Sequence, residues 1–338
     1  MRETNYRAKL GLGFRRKLQL VVQNNYVRDF DVLIAHNDVL DFISTVPNQS
    51  FQLIVTSPPY NIGKPYERRQ KFHDYLQWQK KVLGECVRVL KAGGSLCWEV
   101  ANYVENGEVL PLDVFLYNII KEFPELHLRN RIVWFYEHGL HARKRLSNRY
   151  ETILWFTKGE SYVFNLDNIR VPQKYPGKTY FKGPNYGKPS SNPLGKNPGD
   201  VWQILKKDWK SSVWDIPNVK ANHPEKTIHP AQFPIELVER LVLALTKPHD
   251  IVFDPFVGVG STIIAAILHD RRAAGVDKKR AYIDIALKLI NQTIKGTLKY
   301  RPLGTKKHSP GKEKVARRPK QWGQQSISSS RFDSLRIR

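Results

Sequence analysis

Five consecutive residues, Thr56-Ser57-Pro58-Pro59-Tyr60, bring together a hydroxyl, two rigid rings without backbone donors and a phenol. They leave the apolar run Phe51-Gln52-Leu53-Ile54-Val55, which has the length and composition of a buried strand. Proline fixes φ and biases the residue before it towards extended geometry. Two in succession therefore make a stiff loop at the strand's carboxyl end, where α/β sheets hold their ligands. A hydroxyl, bare carbonyls and an aromatic face suit a flat, polar-edged object such as a nucleobase. An ordinary strand-ending turn with Tyr60 packed on the surface accounts for the same five residues, and the loop alone does not choose between the two.

A second constellation lies far along the chain. Asp250-Ile251-Val252-Phe253 reads as a strand, Asp254-Pro255-Phe256-Val257-Gly258-Val259-Gly260 as a tight loop, Ser261 to His269 as a helix, and Ala273-Ala274-Gly275-Val276 as a strand ending in Asp277. Strand, Gly-x-Gly turn, helix and acid-tipped strand form a βαβ nucleotide-binding unit. The glycines let backbone approach a ligand, and Asp277 can take a pair of ribose hydroxyls. Ile263 stands where a dinucleotide fingerprint has its third glycine. A nucleoside without phosphates fits better, with its carboxylate near the helix start at Ser261 and Thr262. S-adenosylmethionine is such a ligand.

The elements that must position these loops follow from periodicity. Asp31–His36 is a strand ending at Asn37-Asp38, followed by a short helix over residues 39–43. Residues 72–91 carry a helical apolar face, stopped at Ala92-Gly93-Gly94. Ser95–Val100, Arg131–Tyr136 and Thr152–Phe156 are strands, Pro111–Phe123 and residues 236–242 helices, and Tyr282–Ile294 a last amphipathic helix. Between about 165 and 215 periodicity gives way to Gly, Pro, Asn and Lys interleaved with aromatic rings, the texture of a nucleic-acid-binding insertion more than of a linker. The sequence divides into a loosely packed arm (1–29), a catalytic half (30–164), the insertion (165–215), a cofactor half (216–300) and a basic, disordered tail (301–338).

The 338 residues include 55 Lys and Arg against 31 Asp and Glu, a formal net charge of +24. That imbalance points to a polyanionic partner, with nucleic acid ahead of an anionic membrane. The longest apolar runs are too short to span a bilayer, and the polar N-terminus has no apolar signal region. The two cysteines, Cys86 and Cys97, sit in no metal-spacing cluster, so no metal is expected and a reducing cytoplasm is the default.

Thr56–Tyr60 resembles the catalytic motif of amino-group DNA methyltransferases, and Asp254–Gly260 their cofactor motif. Catalytic motif first, cofactor motif second and a variable basic segment between resembles the permuted β class found in restriction–modification systems. His229-Pro230-Ala231-Gln232-Phe233-Pro234 is similar to a further cofactor segment of that class, and Asn37-Asp38, with Val39, to its adenine-contacting acid. The resemblance covers roughly residues 30–295 and implies a Rossmann-like, circularly permuted α/β fold with a target-recognition insertion. It makes Ser57, Pro58, Pro59 and Tyr60 the catalytic set. Asp38, Val39, His229, Pro230, Asp254, Phe256, Gly258, Gly260, Ser261, Thr262 and Asp277 become the cofactor set.

The implied chemistry is direct transfer to the amine of a flipped base, with Tyr60 stacking on the base and Ser57 Oγ and the Pro58 carbonyl accepting from the amine. Ser57 at the first motif position points to cytosine N4, adenine N6 being the alternative. C5 methylation would need a nucleophilic cysteine in an active-site loop, and neither cysteine occupies one. The partners implied are double-stranded DNA and a cognate endonuclease in a prokaryotic cytoplasm. His141, Arg143, Lys144 and Arg145, and Lys178, Lys182 and Lys188 of the insertion, are the expected DNA contacts. The rival readings are a methyltransferase of RNA or protein amines, a DNA-binding protein without catalysis and a nicotinamide oxidoreductase. Trp98 and Trp134 read as core, Asp113 and Glu151 as surface or structural acids.

Overall fold

The computed structural model describes residues 18–63, 67–136, 142–173, 175, 177–202, 219, 223–229, 232–301 and 303. All lie in the unit Met1–Thr305. In chain order its elements are β1 (Leu20–Val22), β2 (Val32–His36), α1 (Val39–Ser44), β3 (Phe51–Thr56), α2 (Phe72–Val89) and β4 (Leu90–Val100). There follow the hairpin β5 (Tyr103–Glu105) and β6 (Glu108–Leu110), α3 (Leu112–Ile120), β7 (Leu126–Phe135), β8 (Tyr150–Lys158) and β9 (Val201–Trp202). The chain closes with α4 (Ile235–Leu245), β10 (Ile251–Asp254), α5 (Ser261–Ile267), β11 (Arg272–Asp277) and α6 (Arg280–Ile294).

Nine strands form one sheet in the order β1-β2-β11-β10-β3-β4-β8-β7-β9, parallel throughout except where β8 runs antiparallel to β4 and β7. Parallel strands covered on both faces need continuous apolar sequence, and β2, β3 and β10 supply it. Alternate side chains then enter opposite layers. Leu53 and Val55 join the core under α4, α5 and α6, while Phe51 and Ile54 join the core under α1, α2 and α3. In the latter, Phe51 stacks on Phe253 at 4.5 Å.

From β10 the chain crosses to β11 on one side, and from β3 it crosses to β4 on the other. The sheet's topological switch point therefore lies between β3 and β10, where open α/β sheets bind ligands. Because β7 runs parallel to β3, the connection from Phe135 to Tyr150 hangs from that same edge.

Three local readings change. No loop separates α2 from β4: the strand starts at Leu90, and Gly94 lets it pass β3, since a Cβ there would lie 2.9 Å from the Gln52 carbonyl oxygen. Leu20–Val22, placed in the loose arm, pairs with β2 as an edge strand. Arg301, placed in the tail, is 8% exposed and pairs with Glu236 of α4. The stretch 165–202 is irregular apart from β9, one short 3-10 turn and three isolated bridges. Trp98 and Trp134 are core residues, and Asp113 is buried against Arg131.

Candidate active site

Asp254, at the end of β10, ties the two loops of the switch point together. The Thr56 hydroxyl donates to its Oδ1 and the Thr262 hydroxyl to its Oδ2, both at 2.5 Å, while the Phe256 amide donates to Oδ1 at 3.0 Å. Burial raises its pKa to about 6, against the pull of these three donors. Asp254 and Thr262 thus brace the wall of the cavity and do not line it. Gly260, at φ 91°, turns the chain into α5, where a Cβ would press on Ala286 at 3.3 Å.

The cavity beside this brace is lined by Asn37, Asp38 and Val39 from the end of β2, by Phe256–Val259 and Ser261, and by Asp277 and Tyr282. Asp277 is held by the Gly258 amide on Oδ2 (3.1 Å) and the Lys279 amide on Oδ1 (2.7 Å). Burial raises its pKa, with both amides and Lys278 and Lys279 opposing. Each oxygen keeps a lone pair for a ligand hydroxyl. Asp38 caps α1 through the Leu40 amide at 2.9 Å. Gly258 leaves a cradle, since a Cβ there would sit 3.4 Å from His229 Nε2, and the His229 ring meets Tyr282 edge-on at 4.5 Å. Two carboxylates, apolar rings and a bare Cα fit a nucleoside with a cationic tail.

The Thr56–Tyr60 loop closes the other end. Ser57 Oγ and Tyr60 Oη lie 2.7 Å apart, and the Tyr60 hydroxyl donates to Glu99 Oε2 at 2.7 Å. Tyr60 is only 7% exposed, so it is a wall of the cavity and not a surface ring. Tyr75 of α2 donates to the Pro59 carbonyl at 3.0 Å and accepts from Gln79 at 3.0 Å, which fixes the diproline from behind. Glu99 belongs to β4 and faces Glu151 of β8, which accepts from the Tyr136 hydroxyl at 3.0 Å. Burial first, and the Glu151 charge second, push Glu99 well above the usual carboxylate range. Burial and Glu99 likewise raise Tyr60, and burial and Glu151 raise Tyr136.

Ser57, Pro58, Pro59, Tyr60, Asp38, Val39, His229, Phe256, Gly258, Ser261 and Asp277 therefore meet around one cavity. Pro230 and His141 lie outside the described residues. The sequence does not mark Glu99 or Trp78, and it reads Glu151 as a surface or structural acid. Trp78 lines the cavity and tilts against Phe256 at 5.5 Å; its place three residues after Tyr75, on the apolar face of α2, was the available signal. Cys86 and Cys97 are fully buried and their thiols are pushed up by burial, which keeps them from acting as nucleophiles.

Arg143, Lys144 and Arg145 are exposed on the β7–β8 connection. Lys178, Lys182 and Lys188 are exposed on a turn closed by Tyr180 N to Lys188 O (3.0 Å) and Ser190 N to Lys178 O (2.9 Å), whose tip carries Phe181 and Tyr186 at 75% and 73% exposure. None of these six lines the cavity.

Residues 51–288 match the profile of a family described as DNA methylase, of the N6/N4 type. The Type II methyltransferase M.BglII of Bacillus subtilis is 45% identical over 262 residues, 76% of this chain and 68% of the relative. The DNA adenine methyltransferase YhdJ of Escherichia coli (strain K12) is 33% identical over 263 residues, 76% of this chain and 82% of that protein. Among solved structures, the cytosine-N4-specific PvuII DNA methyltransferase aligns with a TM-score of 0.57 at 18% identity, over 84% of this chain and 97% of its own. The Thermus thermophilus protein TTHA0409, solved with S-adenosyl-L-methionine, aligns at 0.55 and 23% identity, over 80% and 98%. Both share the fold.

Proposed function

The chain belongs to the N6/N4 DNA methylase family, and on that premise we propose that it methylates the N4 amine of a cytosine flipped from duplex DNA, with S-adenosylmethionine as donor. The observation that carries the base choice is Ser57, a hydroxyl at the first position of the motif, bonded towards a buried carboxylate through Tyr60. Relatives named as Type II methyltransferases support a role in protecting DNA from an endonuclease of the same specificity. The ring-bearing stretch 165–215 is the target-recognition insertion under this reading, and no described helix is long and apolar enough to cross a membrane.

When bound, S-adenosylmethionine supplies an electrophilic methyl group on a sulfonium. Asp277 takes the ribose hydroxyls, Asp38 and the Phe256–Gly258 turn hold the rest of the nucleoside, and the Tyr60 ring and Pro58 shape the slot for the base. An exocyclic amine is conjugated with its ring and is a poor nucleophile. Ser57 Oγ and the Pro58 carbonyl, accepting from its two hydrogens, localise the lone pair and aim it. As the N–C bond forms and the methyl–sulfur bond breaks with its electron pair staying on sulfur, the nitrogen becomes cationic and must lose a proton. Ser57 Oγ takes it and passes its own to Tyr60 Oη, which passes its own to the Glu99 carboxylate. The raised basicity of Glu99 suits it to end that relay.

The deciding experiment incubates the protein with plasmid DNA and methyl-labelled cofactor, digests to nucleosides and separates them. N4-methylcytosine is the expected product. N6-methyladenine would select the second reading, favoured by the similarity to YhdJ, and absence of label from DNA would overturn both.

A further inference from the structure

We infer that Leu146 is a wedge that enters the DNA stack where the target base leaves it, and that Arg143, Lys144 and Arg145 grip the phosphates on either side. The inference rests on the proposed function.

Leu146 is 93% exposed, more than any other large apolar residue described. A side chain fully in water gains nothing for the folded protein. The turn that carries it is nevertheless built: the Ser147 hydroxyl accepts from the Ala142 amide at 3.0 Å, and the Arg145 guanidinium donates to the Leu146 carbonyl at 3.2 Å. The first bond closes residues 142–147 into a loop on which Leu146 stands in solvent. Arg143, Lys144 and Arg145 are exposed beside it and form no ion pair with a described residue. One exposed apolar side chain beside three exposed cations suits a surface that is apolar between its base steps and anionic along its strands.

The loop is also in the right place. It joins β7 to β8 at the sheet edge that carries the Thr56–Tyr60 loop. Glu151, which follows it at the start of β8, faces Glu99, which holds Tyr60, and the Arg149 charge reaches Tyr136 in the same cluster. DNA seated with its target base on Tyr60 therefore passes this loop. Apolar side chains that enter a duplex separate adjacent base steps, and a flipped base leaves a gap whose closure competes with catalysis.

The test uses the full chain and an oligonucleotide duplex carrying a site at which the wild-type protein methylates plasmid DNA. A second duplex carries an abasic position opposite the target base, which removes the pairing that flipping must break. Leu146→Ala should lower kcat/KM on the paired duplex by about tenfold or more and on the abasic duplex by about twofold or less, with Leu146→Met restoring the paired rate. With 2-aminopurine at the target position, the variant should show a weaker fluorescence rise at equal occupancy. Equal losses on both duplexes, or none, would overturn the wedge alone. A wild-type protein that methylates no site in plasmid DNA would overturn the methyltransferase reading and the wedge with it. Since Leu146 is 93% exposed, loss of folding does not confuse the result.

Discussion

Between the Ser57 hydroxyl and the Glu99 carboxylate stands one phenol, bonded to each at 2.7 Å. Tyr60→Phe keeps the ring that walls the cavity and deletes the only side-chain atom of Tyr60 that can relay a proton. Its kcat should fall about a hundredfold, the size of a lost proton-transfer step, while the dissociation constant for S-adenosylmethionine stays unchanged; a matching loss in cofactor binding would show that the hydroxyl serves packing. Glu99 acts as its carboxylate and its folded pKa is raised, so kcat should be lost as pH falls through that raised value. Glu99→Gln should be slow and should lack this acid limb; a limb that persists in the variant would assign it elsewhere. Ser57, the diproline and Tyr60 were legible because consecutive residues carry the motif. Glu99 was not, because it reads as one acid between Trp98 and Val100 in an apolar strand. Only the pairing of β3 with β4 and β4 with β8 brings Glu99 to Tyr60 and Glu151 to Glu99, and strand order is not written locally.

Helix α4 shows the same limit one scale up. The sequence marks a helix over residues 236–242; the helix runs Ile235–Leu245, and its charged residues Glu236, Glu239 and Arg240 are all out of water. The cover is the segment after α6: Arg301 reaches Glu236, and its amide donates to Glu225 Oε1 at 3.0 Å, while the Ile235 amide donates to Oε2 at 2.9 Å. Burying charge is tolerated only with partners, and partners 65 residues away in sequence are invisible to periodicity. Burial lifts Glu225 from 4.5 to about 7, although both amides oppose it. Its folded pKa exceeds its unfolded one, so its contribution to stability is full below about pH 4.5 and is lost as pH rises through about 7. The melting temperature of the wild-type protein should therefore decline across that window. Asp254 adds a decline of the same sign, so the comparison must be with Glu225→Gln. The variant gives up one acceptor and should be less stable at pH 5, with the gap closing by pH 8. Parallel curves would show that Glu225 stays ionised in the fold.

At the scale of the whole molecule the dominant fact is the charge of +24, which says what kind of partner to expect and not where it lies. The fold supplies two addresses: Arg143, Lys144 and Arg145 at the catalytic edge of the sheet, and Lys178, Lys182 and Lys188 on the turn that presents Phe181 and Tyr186. Cations that meet phosphates release condensed counterions, and each phosphate contact adds about 0.9 to the slope of log affinity against log salt. Wild-type DNA affinity should thus fall about a thousandfold or more between roughly 50 and 200 mM salt if six or more phosphates are neutralised. Replacing Arg143, Lys144 and Arg145 by alanine should reduce the slope by about 2.7, and replacing Lys178, Lys182 and Lys188 should do the same. The two triples lie on separate segments of the chain, so their effects on slope should add. All six residues are exposed, and neither triple should alter the melting temperature by more than about a degree or two. A slope reduced by one triple alone would confine the phosphate footprint to that address. A slope untouched by both would mean that the charge serves solubility and that the duplex binds on another face, which would also remove the footing from Leu146 as a wedge.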